Sequence, residues 1–178
     1  TSNGQDGSDG GIAAQRLDAS GNTGGNEILG NTITANNQQI SAISALNDGG
    51  YVITWKSLVS GGGPLGEVYD LYAQRFAVDD TPVGVETKVN TSSSIEVYNS
   101  TPDIAALGDG GYIITWTSGV DFIAEDVYAQ RFDASGNTVG SETLVNTTTN
   151  SEQEGSATAV LSDGGYVITW ASRGQDGD

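Results

Sequence analysis

The octapeptide DGGYVITW occupies residues 48–55 and recurs letter for letter at 163–170, with DGGYIITW at 109–116. The tryptophans that end these copies, Trp55, Trp116 and Trp170, lie 61 and 54 residues apart. Self-similarity at a near-constant period is typical of repeat proteins, in which each unit buries its apolar face against a like neighbour. The sequence therefore predicts an array of like units.

A second block places the boundaries of the repeats. AAQRLDASGNTGGNEILGNT at 13–32 matches YAQRFAVDDTPVGVETKVNT at 72–91 and YAQRFDASGNTVGSETLVNT at 128–147. The last eight residues, ASRGQDGD, resemble the first eight, TSNGQDGS. We therefore interpret residues 1–178 as one repeat array, with repeats at 1–55, 56–116 and 117–170 and the beginning of a fourth at 171–178.

The turn residues predict strands within each repeat. Asp-Gly-Gly tolerates positive φ and is typical of a tight hairpin, and DASGN at 18–22 and 133–137 predicts a longer loop with Gly at the left-handed position. No stretch has a sustained helical period. In the first repeat we expect four short strands, at roughly 12–18, 27–31, 40–46 and 50–56.

The strand Tyr51–Trp55 has apolar residues on both of its faces, which predicts a sheet that is covered on both sides. Four-stranded sheets buried in this way and repeated about an axis are the blades of a propeller. The predicted fold is all-β: a β-propeller-like array of three four-stranded antiparallel blades, open or completed by other subunits. The tryptophans are predicted to be core residues.

The amino-acid composition disfavours several classes of function. The chain has 6 Lys and Arg against 23 Asp and Glu, a net charge of −17, which disfavours nucleic acid as a partner. It has no Cys and no His, which removes the commonest nucleophile–base pairs, and no apolar run approaches the roughly 20 residues of a membrane span. We expect neither an enzyme nor membrane insertion, and an extracellular, secreted location.

The repeat resembles tandem repeats of large secreted bacterial proteins of the adhesin-like or haemolysin-type calcium-binding kind. The resemblance rests on the QDGS, YAQRFDASGN, VNT and DGGYVITW segments and covers essentially the whole chain. It implies display on the extracellular surface and possible use of Ca²⁺.

Aspartates at the start of the repeats are candidate Ca²⁺ ligands, because Ca²⁺ prefers hard carboxylate and carbonyl oxygens. The spacing matches neither an EF-hand nor the glycine-rich nonapeptide repeat, and the alternative is an acidic turn. The candidates are Asp6, Asp9, Asp70, Asp126, Asp176 and Asp178.

Three of the six basic residues, Arg16, Arg75 and Arg131, share one repeat position. Glutamates recur eleven residues later, at Glu27, Glu86 and Glu142. If each pair faces across a hairpin, the opposite charges attract. We therefore predict one structural Arg–Glu pair per blade.

Two functions remain open. The first is a non-enzymatic extracellular structural protein that assembles head to tail, with copies of itself or with further repeats of a longer chain, into a surface filament or ring. The alternative is a calcium-assisted carbohydrate-binding module of an adhesin, with glycans bound at repeated shallow sites between blades.

Overall fold

The computed structural model describes residues 10–63, 66–91, 101–120 and 124–175. This part of the chain forms strands and contains no helix, as the sequence predicts. In chain order the strands are β1 (Ala13–Ala14), β2 (Ile28–Leu29), β3 (Gln38–Ala45), β4 (Tyr51–Gly63), β5 (Gly66–Phe76), β6 (Pro82–Lys88), β7 (Asp103–Ala106), β8 (Tyr112–Val120), β9 (Ala124–Phe132), β10 (Thr138–Leu144), β11 (Gln153–Val160) and β12 (Tyr166–Ser172).

The strands form four antiparallel sheets. Sheet 1 has the order β3-β4-β5-β6 and sheet 2 the order β7-β8-β9-β10. The N-terminal half-sheet consists of β1 and β2, and the C-terminal half-sheet consists of β11 and β12. Four-stranded antiparallel sheets are confirmed, whereas three complete blades are not: the described residues form two complete sheets and two half-sheets, and they show no closed propeller.

The sheets are shifted by half a repeat from the boundaries that the sequence suggests. Within the first repeat, β2 and β3 lie in different sheets instead of continuing one meander. The long hairpin from β4 to β5 instead joins the end of one sequence repeat to the beginning of the next, with pairs from Tyr51–Phe76 to Gly63–Gly66. The DGGYVITW strand thereby becomes the second of four strands, with a neighbour on each side.

Successive sheets pack against each other in chain order. Trp116 and Phe132 of sheet 2 share a cluster with Leu71 and Val52 of sheet 1. Ile12 of the N-terminal half-sheet packs with Trp55 and Phe76, while Ile168 of the C-terminal half-sheet packs against sheet 2. Trp55 and Trp116 are at most 1% exposed, which confirms the prediction for these two, whereas Trp170 in the C-terminal half-sheet is only partly buried.

The first strands of neighbouring sheets are also joined by hydrogen bonds. The backbone N–H of Ala106 donates to Ser44 Oγ (3.2 Å), linking β7 to β3. The backbone N–H of Thr158 donates to Asp103 Oδ2 (2.6 Å), linking β11 to β7. Each sheet is therefore fastened to the next by polar contacts beside its apolar core.

In every copy a buried asparagine accepts a hydrogen bond from the backbone of the third strand or of the residue just before it. Asn31, Asn90 and Asn146 are 2–3% exposed. Each accepts a hydrogen bond from a backbone N–H 19 residues earlier, at distances of 2.7–2.8 Å; the donors are Ile12, Leu71 and Val127. A buried backbone N–H needs such a partner, so the recurring Val-Asn-Thr or Gly-Asn-Thr segment has a structural role.

The Asp-Gly-Gly turns have the predicted hairpin geometry. Gly49, Gly110 and Gly164 have φ between 85° and 89°, in the left-handed region. The second glycine has a different role: a Cβ on Gly50 would lie 2.3 Å from the carbonyl oxygen of Phe76 on β5, and one on Gly111 would lie 2.3 Å from that of Phe132. This glycine therefore makes room for the third strand. In the part of the chain that the structure describes, no helix is long and apolar enough to cross a membrane.

We predict that Gly50→Ala lowers the free energy of unfolding by about 1–3 kcal/mol, because the added methyl group overlaps a backbone carbonyl. Gly165→Ala in the third turn is the matched control: its Cβ would meet nothing closer than the Asp163 carboxylate at 3.1 Å. Urea denaturation of the dilute variants measures both effects. Equal destabilisation by the two substitutions would contradict the assigned role of the second glycine.

Candidate assembly interface at the terminal half-sheets

The two identical copies of DGGYVITW differ in their burial. Val52 and Ile53 on β4 are 0% and 3% exposed, whereas Val167 on β12 is 45% exposed. Tyr166 is 41% exposed, and the equivalent Tyr112 of sheet 2 is 3% exposed. Since residues 48–55 and 163–170 have the same sequence, the difference arises from their neighbours in space.

Two neighbours are missing among the described residues: a third strand beside β12, and a sheet packed on the face that carries Val167, as sheet 2 packs on Val52. β4 pairs with β3 on one side and with β5 on the other, and β8 likewise pairs with β7 and β9. Among the described residues, β12 pairs only with β11. The turn itself does not need the third strand, because Leu161 N donates to Gly165 O at 2.8 Å as the equivalent groups do in the other two copies. β12 thus presents an unfinished edge with apolar residues on it.

In the described residues, the N-terminal half-sheet has no second strand for its third strand to pair with. Leu17 occupies the repeat position of Phe76 and Phe132. These two rings are at most 1% exposed and stack on Tyr51 and Tyr112, with centroids 5.1 and 4.9 Å apart, whereas Leu17 is 57% exposed. Among the described residues, this half-sheet contains only the third and fourth strands of a sheet.

The prediction that the repeated arginines pair with the repeated glutamates is wrong. Arg75 and Arg131 instead form ion pairs with Asp48 and Asp109, the aspartates of the Asp-Gly-Gly turns in their own sheets. Arg16, whose half-sheet has no such turn, pairs with Asp80 of sheet 1 at 2.7 Å.

The position of the turn explains why the glutamates do not face the arginines. The backbone N–H of Ala77 donates to the carbonyl oxygen of Thr81, so the hairpin is centred on Asp79 and Arg75 pairs with Val83, not with Glu86. Beyond this pair a bulge containing Gly84 (φ 73°) shifts the register, so that Ala73 pairs with Thr87. An equivalent register shift follows Val139 in sheet 2, where Gly140 has φ 74°.

These glutamates instead link one repeat to the next. Glu86 Oε2 accepts hydrogen bonds from the backbone N–H and the hydroxyl of Thr32, at 2.9 and 3.0 Å. Glu142 Oε2 accepts the same two bonds from Thr91, at 2.7 and 3.0 Å. We call this contact the Glu–Thr clamp. Sequence reasoning missed it, although the recurrence of Glu and of Asn-Thr in every repeat was a signal for it.

A groove lies between each pair of successive sheets. The first, of about 340 Å³, has Arg16 on one wall and Tyr51 and Asp80 on the other. The second, of about 210 Å³, contains Arg75 and Tyr112. The third, of about 460 Å³, contains Arg131 and Tyr166 and lies against the C-terminal half-sheet.

Electrostatics organise the first groove. Asp80 has φ 67° where the other loops have glycine, and its carboxylate accepts hydrogen bonds from Arg16 and from the Tyr51 hydroxyl (3.0 Å). The bond from Arg16 lowers the pKa of Asp80. Burial, together with Asp80, raises the pKa of Tyr51 to about 12. The Tyr51 hydroxyl therefore stays protonated and donates a hydrogen bond to the Asp80 carboxylate.

The predicted calcium ligands fall into two groups. Asp70 binds Lys88 Nζ (2.8 Å) and the Asn90 side-chain amide (3.0 Å), and Asp126 binds the Asn146 amide (2.6 Å). Both therefore brace the buried asparagines. Asp6, Asp9, Asp176 and Asp178 lie outside the described residues. Within the described residues no cluster of three or more acidic side chains has the arrangement of a metal site.

One carboxylate is buried between sheet 2 and the C-terminal half-sheet. Glu125 on β9 is 3% exposed. Burial, reinforced by Glu154 and Glu152 and opposed by Arg173, raises its pKa from 4.5 to about 7. Arg173 itself pairs with Glu152 at 2.7 Å. The folded protein therefore holds a proton on Glu125 at pH values where the unfolded chain has lost it.

The chain matches no protein family, no curated protein and no solved structure with which it was compared.

We predict that Glu125→Gln makes the free energy of unfolding less dependent on pH. The folded pKa of Glu125 exceeds the unfolded one, so its contribution to stability is complete below about pH 4.5 and is lost as the pH rises through about 7. Urea denaturation at pH 5 and pH 8 should show a smaller loss for Glu125→Gln than for the parent. Glu67→Gln, at an exposed site on β5, is the control and should keep the parent's loss. A Glu125→Gln protein with an unchanged pH profile would contradict the prediction.

Proposed function

We propose that this protein is a non-enzymatic structural repeat protein of the extracellular surface, which assembles head to tail into a filament or ring. The observation that carries the proposal is the different burial of one sequence in two places: Val52 is 0% exposed and Val167 is 45% exposed. A strand that is apolar on both faces is stable in the middle of a sheet and costs free energy at its edge. Binding a further strand would therefore remove apolar surface of the C-terminal half-sheet from water, which is favourable.

The two ends differ, which determines the kind of assembly. The N-terminal half-sheet supplies third and fourth strands, whereas the C-terminal half-sheet supplies first and second strands. Contact between unlike surfaces is heterologous, and it produces a ring when the rotation closes and a filament when it does not. Copies of this chain and further repeats of a longer chain are both suitable partners, because either would present the same strand sequences.

The non-enzymatic part of the proposal rests on repetition. The arginines, tyrosines and buried asparagines recur at equivalent positions in every unit, whereas an active site is ordinarily built once from residues with different roles. The extracellular location is supported by the abundance of Gly, Asn, Ser and Thr, by the low Lys content and by the resemblance to secreted repeat proteins.

Val167→Lys should weaken assembly at least about tenfold, because an ammonium group would enter a position that is fully buried in sheet 1. Sedimentation velocity over a range of protein concentrations measures the effect. Val85→Lys on β6 is the matched control: Val85 is 84% exposed, and the substitution makes the same change in net charge. A parent protein that stays monomeric, or a Val167→Lys variant that assembles like Val85→Lys, would refute the proposal.

The grooves support the second candidate, a calcium-assisted carbohydrate-binding module. An arginine and a tyrosine recur in each groove, and the first and third have volumes within the range of small-molecule sites. Glycan binding measured with and without a chelator separates this candidate from the first, since a purely structural array binds no glycan in either condition.

A further inference from the structure

The half-sheets at the two ends of the chain are complementary parts of one sheet. In sheets 1 and 2 the second strand pairs with the third, as β4 with β5 and β8 with β9. β12 repeats the sequence of the second strand, and β1 lies within the repeat of the third. We propose that β12 of one chain pairs with β1 of a second copy, so that β11, β12, β1 and β2 form a four-stranded sheet in that order. This inference rests on the proposed function and specifies the contact through which the copies join.

The two complete sheets determine the register of this junction. Tyr51 pairs with Phe76 and Thr54 with Ala73, and the same offsets pair Tyr112 with Phe132 and Thr115 with Ala129. β12 is equivalent to β4 and β8, and β1 is equivalent to β5 and β9. The register of the β12–β1 pair therefore follows from the two complete sheets. Tyr166 pairs with Leu17 of the second copy, Thr169 with Ala14 and Trp170 with Ala13.

The side chains at these positions suit the pairing. Tyr166 and Leu17 are 41% and 57% exposed. Their equivalents in sheets 1 and 2 are stacked rings, of which Phe76, Tyr112 and Phe132 are at most 3% exposed and Tyr51 is half-buried. Pairing would bring the two exposed apolar groups together. Val167 would lie beside Arg16, as Val52 lies beside Arg75.

Gly165 supports the same junction. Gly50 and Gly111 are needed because the carbonyl oxygen of the third strand lies 2.3 Å from where their Cβ would be. Nothing in the described chain approaches Gly165 in this way, since the nearest atom to its Cβ position belongs to Asp163 in the same turn. The third turn thus has space for a carbonyl oxygen that this chain does not supply. In the proposed register that oxygen belongs to Leu17 of the second copy.

A second contact joins the copies at a different strand. The Glu–Thr clamp links Thr32 to Glu86 and Thr91 to Glu142, from each sheet to the fourth strand of the next. Thr147 occupies the position of Thr91, is exposed, and follows the fourth strand of sheet 2. The completed sheet would bring Glu27 of the second copy to Thr147. The strand pairing and the clamp thus place the same half-sheet at the same site.

The partner strand is not β1 of the same chain, because the two half-sheets lie at opposite ends of the array. Ile12 packs against Ile53 and Trp55 of sheet 1, while β11 packs against β7, β8 and β9 of sheet 2. Both complete sheets therefore separate β1 from β12 of the same chain.

Disulfide cross-linking tests the register directly, because the sequence contains no cysteine. Paired residues have Cα atoms about 4.5–5.5 Å apart, within the range that a disulfide bridges. Thr169→Cys in one chain and Ala14→Cys in a differently tagged chain should form a mixed disulfide on oxidation. The pair Val167→Cys and Ala14→Cys, two residues out of register, should cross-link at least about tenfold less. Each cysteine variant alone controls for random collision.

The outcomes separate this inference from the proposed function. Assembly with no preference for the 169–14 pair would overturn the register and leave head-to-tail assembly standing. A chain that contains both cysteines and cross-links to itself, or a parent protein that remains monomeric and forms no mixed disulfide, would overturn a second copy as the partner.

Gly165→Ala provides a second test that does not depend on disulfide geometry. The substitution should leave the circular dichroism spectrum and urea midpoint of the dilute protein unchanged and reduce assembly at least about tenfold. The clamp is tested separately by Glu27→Gln. Undiminished assembly of Gly165→Ala would contradict the proposed approach of Leu17.

Discussion

The pairing between the second and third strands of each sheet is the interaction on which the remainder of the structure depends. The segment Tyr-Val-Ile-Thr-Trp is apolar on both faces, so it is stable only as a central strand with a sheet packed on each side. Sheets 1 and 2 satisfy this requirement, and Val52 and Ile114 are 0% exposed. In the C-terminal half-sheet, where the described residues supply neither a third strand nor a following sheet, the same residues remain partly exposed although their turn is fully formed.

Polar contacts add direction to this apolar stacking. A chain with a net charge of −17 has few cations with which to neutralise itself, and three of its four arginines pair with aspartates. The two Glu–Thr clamps join the N-terminal half-sheet to sheet 1, and sheet 1 to sheet 2, without using any of these cations. They accept hydrogen bonds at a defined point on the neighbouring unit, so they favour one relative placement of successive sheets over others. Apolar burial supplies most of the free energy, and the clamps set its geometry.

The sequence was sufficient to predict the features that depend on local chemistry. Gly49 and Gly136 adopt the left-handed conformation that their turns require, and Trp55 and Trp116 lie in the core. The phase of the sheets was not predictable in this way, because a periodic sequence has the same period wherever its unit is taken to begin. Only the pairing of β4 with β5 across the repeat boundary determines that phase.

The partners of the charged residues were harder to predict, for a geometric reason. The expected Arg75–Glu86 pair assumed a hairpin centred further along the chain, whereas the turn between Ala77 and Thr81 pairs Arg75 with Val83. Two of the predicted calcium ligands, Asp70 and Asp126, bind the side chains of Asn90 and Asn146, which lie 20 residues further along the chain. Such contacts depend on the approach of residues that are distant in sequence, and the repeat pattern alone does not contain that information.

Hydrogen exchange of the backbone amides in β12 and β4 tests the central claim most directly. Residues 51–55 and 166–170 have identical sequences, so differences in their exchange report on strand pairing alone. In dilute protein, the β12 amides that face away from β11 should exchange much faster than their β4 counterparts, and at concentrations where the chain assembles the two sets should become similar. Equal protection of the two strands in the monomer, or β12 amides that stay unprotected in the assembled species, would contradict the account.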